Sequence, residues 1–276
     1  MGNNLKNKIK VVIVGNIAFD VNTFPGRDNG KDLIIVNNGG AGYYSLIPAS
    51  LFTKVGIVSR VGYDFDISLL KDENIDLTGL KIVKDSPTTK FHHTYISKDG
   101  QTRTFKPEVY QDTVIDVNDF PEEYYDADYI HIATNFPYMQ KKFIDEIRKK
   151  SKAIISIDTH EAYMEKEANY IKNIFNSVDI AFIDKEYKTL LDCDAPIKII
   201  KKGKQGCEYI SKDKRFSAKV TESEVVDKTG AGDVVTGVFI AMLSKGYTPE
   251  ESLKIAVETA TKSIKDYGVD FLKFNI

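Results

Sequence analysis

Cysteine is scarce. The chain of 276 residues has two, Cys193 and Cys207, at no motif spacing. That excludes a disulfide framework and a cysteine-based metal site, and it points to a reducing, cytoplasmic compartment. Histidine is scarce as well, with four in all. His92 and His93 are neighbours in an expected strand and would face opposite sides, while His131 and His160 stand alone, so no metal-ligating set emerges. Neither sign of charge dominates: 38 Lys and Arg against 40 Asp and Glu leave a formal charge of −2. Without a basic stripe interleaved with aromatics, nucleic acid is excluded as the main partner. Long apolar runs are missing too. The run near the N-terminus breaks at Gly15-Asn16, too short for a membrane span or a signal peptide. Lys6 stands where N-myristoylation needs Ser or Thr. Two glycine signatures of nucleotide folds are also absent. No GxxxxGK[ST] occurs, and the first strand runs into Gly15-Asn16-Ile17-Ala18 where a dinucleotide fold needs GxGxxG.

What is present is a globular composition, 42% hydrophobic and 28% charged, long enough for a large core. Lys8–Gly15 reads as a buried β-branched strand. Asp20 lies just beyond it, as a polyol-holding carboxylate or as a solvated loop acid. Val21–Gly30, rich in Asn, Asp, Gly and Pro, reads as loop, and Leu33–Val36 as a short strand. Asn37–Gly42 turns into a helix over Tyr43–Thr53. A strand follows at Val55–Val61, then a helix from Gly62 through Glu73. Thr89–Ser97 and Thr102–Lys106 read as a hairpin about Asp99-Gly100. It is polar on both sides, which suits a flap better than a core. From Tyr129 strands and helices alternate: strands at Tyr129–Ile132, Ala153–Ile157, Val178–Phe182 and Ile197–Lys201, helices at Tyr138–Lys150, Tyr163–Phe175 and Lys185–Leu191. A hairpin, Cys207–Ile210 with Arg215–Val220, and two final helices complete the chain. This alternation indicates a mostly parallel sheet covered on both faces. With no linker or repeat, the whole of 1–276 reads as one α/β domain with a small β lid from about 19–36 and 89–106.

The stretch that organises the chain is Asp227-Lys228-Thr229-Gly230-Ala231-Gly232-Asp233, followed by an apolar helix. The small residues leave backbone N–H groups uncovered at a helix N-terminus, where free donors and the macrodipole favour an anion. Asp233 falls in the first turn. A carboxylate beside a bound phosphate is a poor binding group, because like charges repel, but a sensible base for the nucleophile attacking that phosphate. A glycine turn capping a helix is the plainer alternative for this stretch taken alone.

Three signals in order resemble the PfkB/ribokinase-like carbohydrate kinases over nearly the whole chain. They are the Asp227–Asp233 stretch, Gly39-Gly40 with the later Gly62 and Asp64, and Lys201-Lys202-Gly203-Lys204-Gln205-Gly206 after an apolar strand. The resemblance implies a three-layer αβα sandwich with a β-sheet lid, ATP as donor with Mg2+, and a hydroxyl of a small sugar or polyol, or of a nucleoside, as acceptor. It implies Asp233 as general base and the backbone of Gly230, Ala231 and Gly232 as the anion hole. Thr229, Lys201, Gly203 and Gly206 would line the nucleotide, and Asp20, Gly39, Gly40, Tyr44 and Arg103 the acceptor. Glu186 would reach magnesium through water, and Asp227 would adjoin a monovalent cation such as K+. Lids in this family often pair into homodimers. Three departures stand out. Lys228 replaces a threonine, Tyr44 stands where an acceptor-contacting Asn is usual, and Ile183 occupies the Asn position of N-x-x-E. A degenerate member that binds a sugar or nucleotide without turnover is the alternative they raise; the intact Asp233 argues against it.

Overall fold

The computed structural model describes residues 8–96, 103–221 and 223–275. Its strands and helices, in chain order, begin with β1 (Val11–Val14), β2 (Ala18–Asp28), β3 (Lys31–Gly39), α1 (Ala41–Ser50) and β4 (Val55–Gly62). β5 (Ile75–Asp76), β6 (Leu80–Val83), β7 (Lys90–Tyr95), β8 (Arg103–Glu108) and β9 (Tyr129–Ile132) follow. Then come α2 (Pro137–Lys150), β10 (Ile154–Ile157), α3 (Glu161–Phe175), β11 (Ile180–Asp184), α4 (Lys188–Leu191) and β12 (Ile197–Lys201). β13 (Cys207–Ser211), β14 (Arg215–Ala218), α5 (Ala231–Ser244), α6 (Pro249–Ser263) and α7 (Leu272–Asn275) end the list.

Among the described residues there are two sheets. The large one runs β14-β13-β12-β11-β10-β9-β1-β4-β5, with β6 beside β4. It is parallel from β12 to β5 and antiparallel at the β12-β13-β14 edge. β1 shows why it is sandwiched. Its four residues are all buried, and they alternate between two cores. Val11 and Ile13 join α1, α5 and α6 on one face, while Val12 and Val14 join α2 and α3 on the other. Each such aliphatic contributes about 1.5–3 kcal/mol of burial. α5 is buried almost all round because it lies in the first core alongside α1 and α6. α6 opens with a capping box between Thr248 and Glu251 and Pro249 in its first turn.

The small sheet runs β3-β2-β7-β8. β2 pairs antiparallel with β3 and parallel with β7, and β7 pairs antiparallel with β8. Its edge strand β3 exposes Ile34 and Val36. No helix among the described residues is long and apolar enough to cross a membrane.

The structure corrects the reading of several segments. Val21–Gly30 is not loop: residues 18–28 form β2. Its most buried positions are Ala18, Asp20, Asn22 and Phe24, so polar residues stand on the inward face where a core strand would be apolar. Pro25 is accommodated because the pairing with β7 has ended at Thr23 and the register with β3 shifts between Phe24 and Asp28. The expected helix from Gly62 through Glu73 is a turn and one 3-10 segment, Ile67–Leu70, capped by Asp66. The short strands β5 and β6 went unread. The helix expected at Lys185–Leu191 is one turn, α4. The Asp99-Gly100 turn lies outside the described residues.

Candidate active site

Ligands of open α/β sheets collect at the carboxyl edge of parallel strands. Here β10 is followed by Asp158, β11 ends in Asp184 and β12 ends in Lys201. The Lys201 ammonium lies 2.6 Å from Asp158 Oδ2 and 3.4 Å from Asp184 Oδ2. Burial opposes its charge, but Asp158, Asp184 and Asp233 outweigh that and hold its pKa well above the usual value. Burial pushes Asp158 up to about 6 against the pull of Lys201.

The N-terminus of α5 faces this cluster. Gly230, its N-cap, adopts φ 76°, ψ −2°, a left-handed conformation that disfavours any side chain. Space excludes one as well: a Cβ at 230 would stand 2.2 Å from Cγ of Tyr44. The buried Tyr44 ring is thus the floor of the loop. The Ala231 N–H turns back to the Lys228 carbonyl at 3.2 Å. Gly230 and Gly232 keep N–H groups without a partner among the described residues, at the positive end of the helix dipole. A Cβ at Gly232 would stand 3.3 Å from Lys201 Nζ, which places that ammonium against the loop. Asp233, in the first turn of α5 and partly buried, is pushed up to about 8. Burial is the main cause; Asp158, Asp184 and Asp20 add to it and Lys201 opposes it.

The small sheet closes another side. Asp20 is 2% exposed, and its carboxylate fills the space that a Cβ at Gly39 would need, 2.4 Å from Cγ. Burial pushes its pKa up to about 7; the Tyr44 hydroxyl, Arg103 and the Gly40 backbone pull it down, and Asp227 raises it. The Tyr44 hydroxyl and Asp20 Oδ1 complete no well-formed hydrogen bond among the described residues, nor do Asn22 Oδ1 and His93 Nδ1. His93 Nε2 lies 4.0 Å from Asp20 Oδ2. Burial, with Arg103, His160 and His92, holds its pKa down at about 3, so the ring stays neutral. Phe105 packs 5.3 Å from His93 and 5.6 Å from Phe91, and reaches across to His160 at 5.0 Å between centroids. His160 caps α3 from the main sheet.

Asp227 is a knot rather than an open ligand. Its Oδ1 accepts from the Thr229 N–H (2.9 Å) and lies within bonding distance of the Thr229 (2.7 Å) and Tyr95 (3.0 Å) hydroxyls, and its Oδ2 accepts from the Asn22 amide (3.3 Å). The two hydroxyls also bond each other and carry one hydrogen apiece, so three hydrogen ends converge on the carboxylate, an arrangement that does not fit a cation.

The residues singled out from sequence therefore gather unevenly. Asp20, Gly39, Gly40, Tyr44, Asp227, Thr229, Gly230–Gly232, Asp233 and Lys201 meet at the cleft, and Arg103 acts on Asp20 and His93 from β8. Gly203 and Gly206 flank the turn from β12 to β13. Glu186 is exposed and lies 3.8 Å from Lys185. Ile183 points into the core beside α2 and α3, so the strand's pleat presents Asp184 at the cleft. Sequence reasoning missed Asp158, His160, Phe105, Asn22 and Tyr95. A usable signal existed for the first: two apolar strands, Ile154–Ile157 and Ile180–Ile183, each run into an Asp.

The pfkB family carbohydrate kinase pattern matches residues 8–273. A cytidine kinase of Thermococcus kodakarensis is 25% identical over 281 residues, covering 94% of this chain and 98% of that protein. The structure of Burkholderia thailandensis nucleoside kinase in complex with inosine superposes with a TM-score of 0.80 at 15% identity, over 94% of this chain and 93% of that one. A ribokinase II structure from E. coli in complex with ATP and Mg2+ superposes at 0.76 with 19% identity, over 94% of each chain. The cleft and these likenesses define a phosphotransferase with a hydroxyl acceptor, built on the ribokinase-like fold. The chain belongs to the pfkB carbohydrate kinase family, whose kinases use ATP with Mg2+.

Proposed function

We propose that the chain phosphorylates a nucleoside, at a ribose hydroxyl, with MgATP as donor. The observation that carries this reading is the juxtaposition of two surfaces beside Asp233. One is a set of buried polar atoms without partners, Asp20 Oδ1, Asn22 Oδ1 and His93 Nδ1. Orphaned buried polar atoms cost about 1–3 kcal/mol each until a ligand or water meets them, and a sugar's hydroxyls supply both donors and acceptors. The other is the aromatic wall of Phe91, Phe105 and His160, suited to a base. The cytidine kinase and nucleoside kinase likenesses support the same reading.

In this reading Asp233 takes the proton from the attacking hydroxyl. Its raised pKa suits a base working near neutral pH. The Gly230 and Gly232 N–H groups and the α5 dipole hold the transferring phosphoryl group, with Lys201 beside them. Magnesium enters as part of the donor and neutralises charge on the phosphates. Asp184, paired with Lys201, faces that site; Glu186 is set back in solvent. Thr229 orders the loop, while Gly203 and Gly206 shape the turn beside the nucleotide. The small sheet acts as the lid of one kinase domain, and the apolar edge of β3 offers a contact for a second copy.

A free sugar or polyol is the second reading, favoured by the density of hydroxyl-seeking atoms about Asp20. A phosphorylation screen separates the two: cytidine, uridine, adenosine and inosine against ribose, fructose and myo-inositol, with ATP and Mg2+. The expected result is a nucleoside with kcat/KM at least 100-fold above that of free ribose. A sugar or inositol that outperforms every nucleoside would refute it.

A further inference from the structure

Strand alternation puts two tasks on one face of the small sheet. On β2, Asp20, Asn22 and Phe24 are buried in turn, and on β7 so are His93 and Tyr95. Asp20 and His93 flank the acceptor cleft. Asn22 and Tyr95, two residues further along each strand, reach Asp227, as described above. Tyr95 also bonds the Thr229 hydroxyl. Its ring is stacked on Phe24, 4.6 Å between centroids and 7° between planes, which fixes where its hydroxyl stands. Arg27, on the same strand as Phe24, lies over the Phe24 ring and donates to the Val226 carbonyl at 3.4 Å. Three side chains of the small sheet thus grip Val226–Thr229, the segment that leads directly into Gly230–Gly232. Thr229 receives the grip twice, through its backbone N–H on Asp227 and through its hydroxyl.

We propose that Tyr95 and Asn22 are positioning residues which, through Asp227, tie the acceptor-bearing face of the small sheet to the phosphoryl loop, so that seating the acceptor sets the loop's geometry. The proposal rests on the reading of Gly230–Gly232 as the phosphoryl site. The physical basis is that these donors reach both oxygens of a buried carboxylate from outside the loop. Any shift of β2 or β7 is therefore transmitted to Thr229 and on to the N–H groups of α5. Misplacement by about 1 Å costs phosphoryl transfer on the order of 100-fold, whereas nucleotide affinity arises elsewhere in the cleft.

Tyr95→Phe removes the hydroxyl and keeps the stack on Phe24. In that variant we expect cytidine turnover, measured with ATP and Mg2+, to show kcat lower by about 10- to 100-fold, with KM for cytidine and ATP within about threefold. A second readout needs no acceptor. MgADP affinity is measured with and without fluoroaluminate, a mimic of the transferring phosphoryl group. The variant should bind MgADP as the wild type does and lose most of the tightening that fluoroaluminate brings. Asn22→Ala should lose the same fluoroaluminate tightening, and the double variant should add little to that loss, since both act through one carboxylate. In Asn22→Ala the KM for cytidine should rise as well, because Asn22 Oδ1 also faces the acceptor. Phe143→Leu, buried in the core between α2 and the main sheet, serves as the control: it should lower Tm while keeping the fluoroaluminate effect. Unchanged tightening and unchanged kcat in Tyr95→Phe would overturn the proposal, as would a parallel loss of MgADP affinity and Tm with no split between kcat and KM. A wild type that ignores cytidine defeats the nucleoside reading alone, because the fluoroaluminate arm still decides the tie. A wild type that ignores fluoroaluminate defeats the phosphoryl loop and the tie together.

Discussion

Replacing Asp233 by Asn should make the protein more stable and nearly inactive, and the pH dependence of the first effect identifies its cause. The carboxylate sits partly buried in a cleft with Asp158, Asp184 and Asp20 as like charges and Lys201 as an opposing one, and its pKa is pushed from the ordinary 3.8 up to about 8. A carboxyl raised in the folded state leaves stability intact below its unfolded pKa and removes it as pH climbs toward the folded value. At pH 7 the interval above 3.8 spans about three units, a ceiling of ~4 kcal/mol. Solvent relaxation in an open cleft discounts this to roughly 2 kcal/mol. Asn carries no charge, so the variant recovers that amount, equivalent to about 4 °C in Tm for a chain of this size. The gain should be near zero at pH 4, grow through pH 7 and level off above pH 8. Ligand-free calorimetry across that range measures it. The same variant should lose ~10²–10⁴ in kcat, as removal of a general base does, in a coupled ADP-release assay with cytidine. A gain independent of pH, a loss of stability at pH 8, or turnover within tenfold of wild type would refute the argument.

Two further outcomes follow from the charges around it. Lys201→Met removes the charge that holds the Asp233 pKa down. The rising limb of the kcat/KM profile should therefore move to higher pH by about one unit, with KM for ATP raised roughly tenfold; an unshifted limb would disconnect the two residues. Because the Asp227 oxygens are occupied by Asn22, Tyr95 and Thr229, exchanging K+ for choline at constant ionic strength should change kcat less than about twofold, given that only surface screening is altered. A tenfold dependence on K+ would show that a cation displaces those donors.

What could be read from the chain follows from where its signals are local. β1, the glycine turns at Gly39-Gly40 and Gly230–Gly232, and Lys201 at the end of β12 declare themselves within a few residues, by β-branched runs and by glycines. β2 does not. Its buried face is Asp20, Asn22 and Phe24, which serve a cleft, so polar residues stand where a core strand would be aliphatic and the segment passes for loop. The stretch after β4 misleads in the other direction: its spacing suits a helix, but Asp66 caps a single 3-10 turn and β5 and β6 then pair with β4. The N-x-x-E comparison sets Ile183 at the Asn position, with Asp184 next door as a partial substitute; the pleat of β11 turns Ile183 into the core and presents Asp184. Partners that converge from distant strands, such as Phe105 with His160 or Tyr95 with Asp227, leave no local trace.

The Tyr44 ring beneath Gly230 bears on how acceptor preference could change in this scaffold. A residue at 44 addresses Asp20 with its hydroxyl and supports the loop with its ring, so every substitution there alters two functions at once. Smaller side chains that widen the cleft would also remove the support under the loop. Variation that retunes the acceptor without that penalty has to arise on β7 and β8, at Phe91, Arg103 and Phe105, which face the cleft from the small sheet. Laboratory selection for a new acceptor should accumulate changes at those three positions and leave Tyr44 in place.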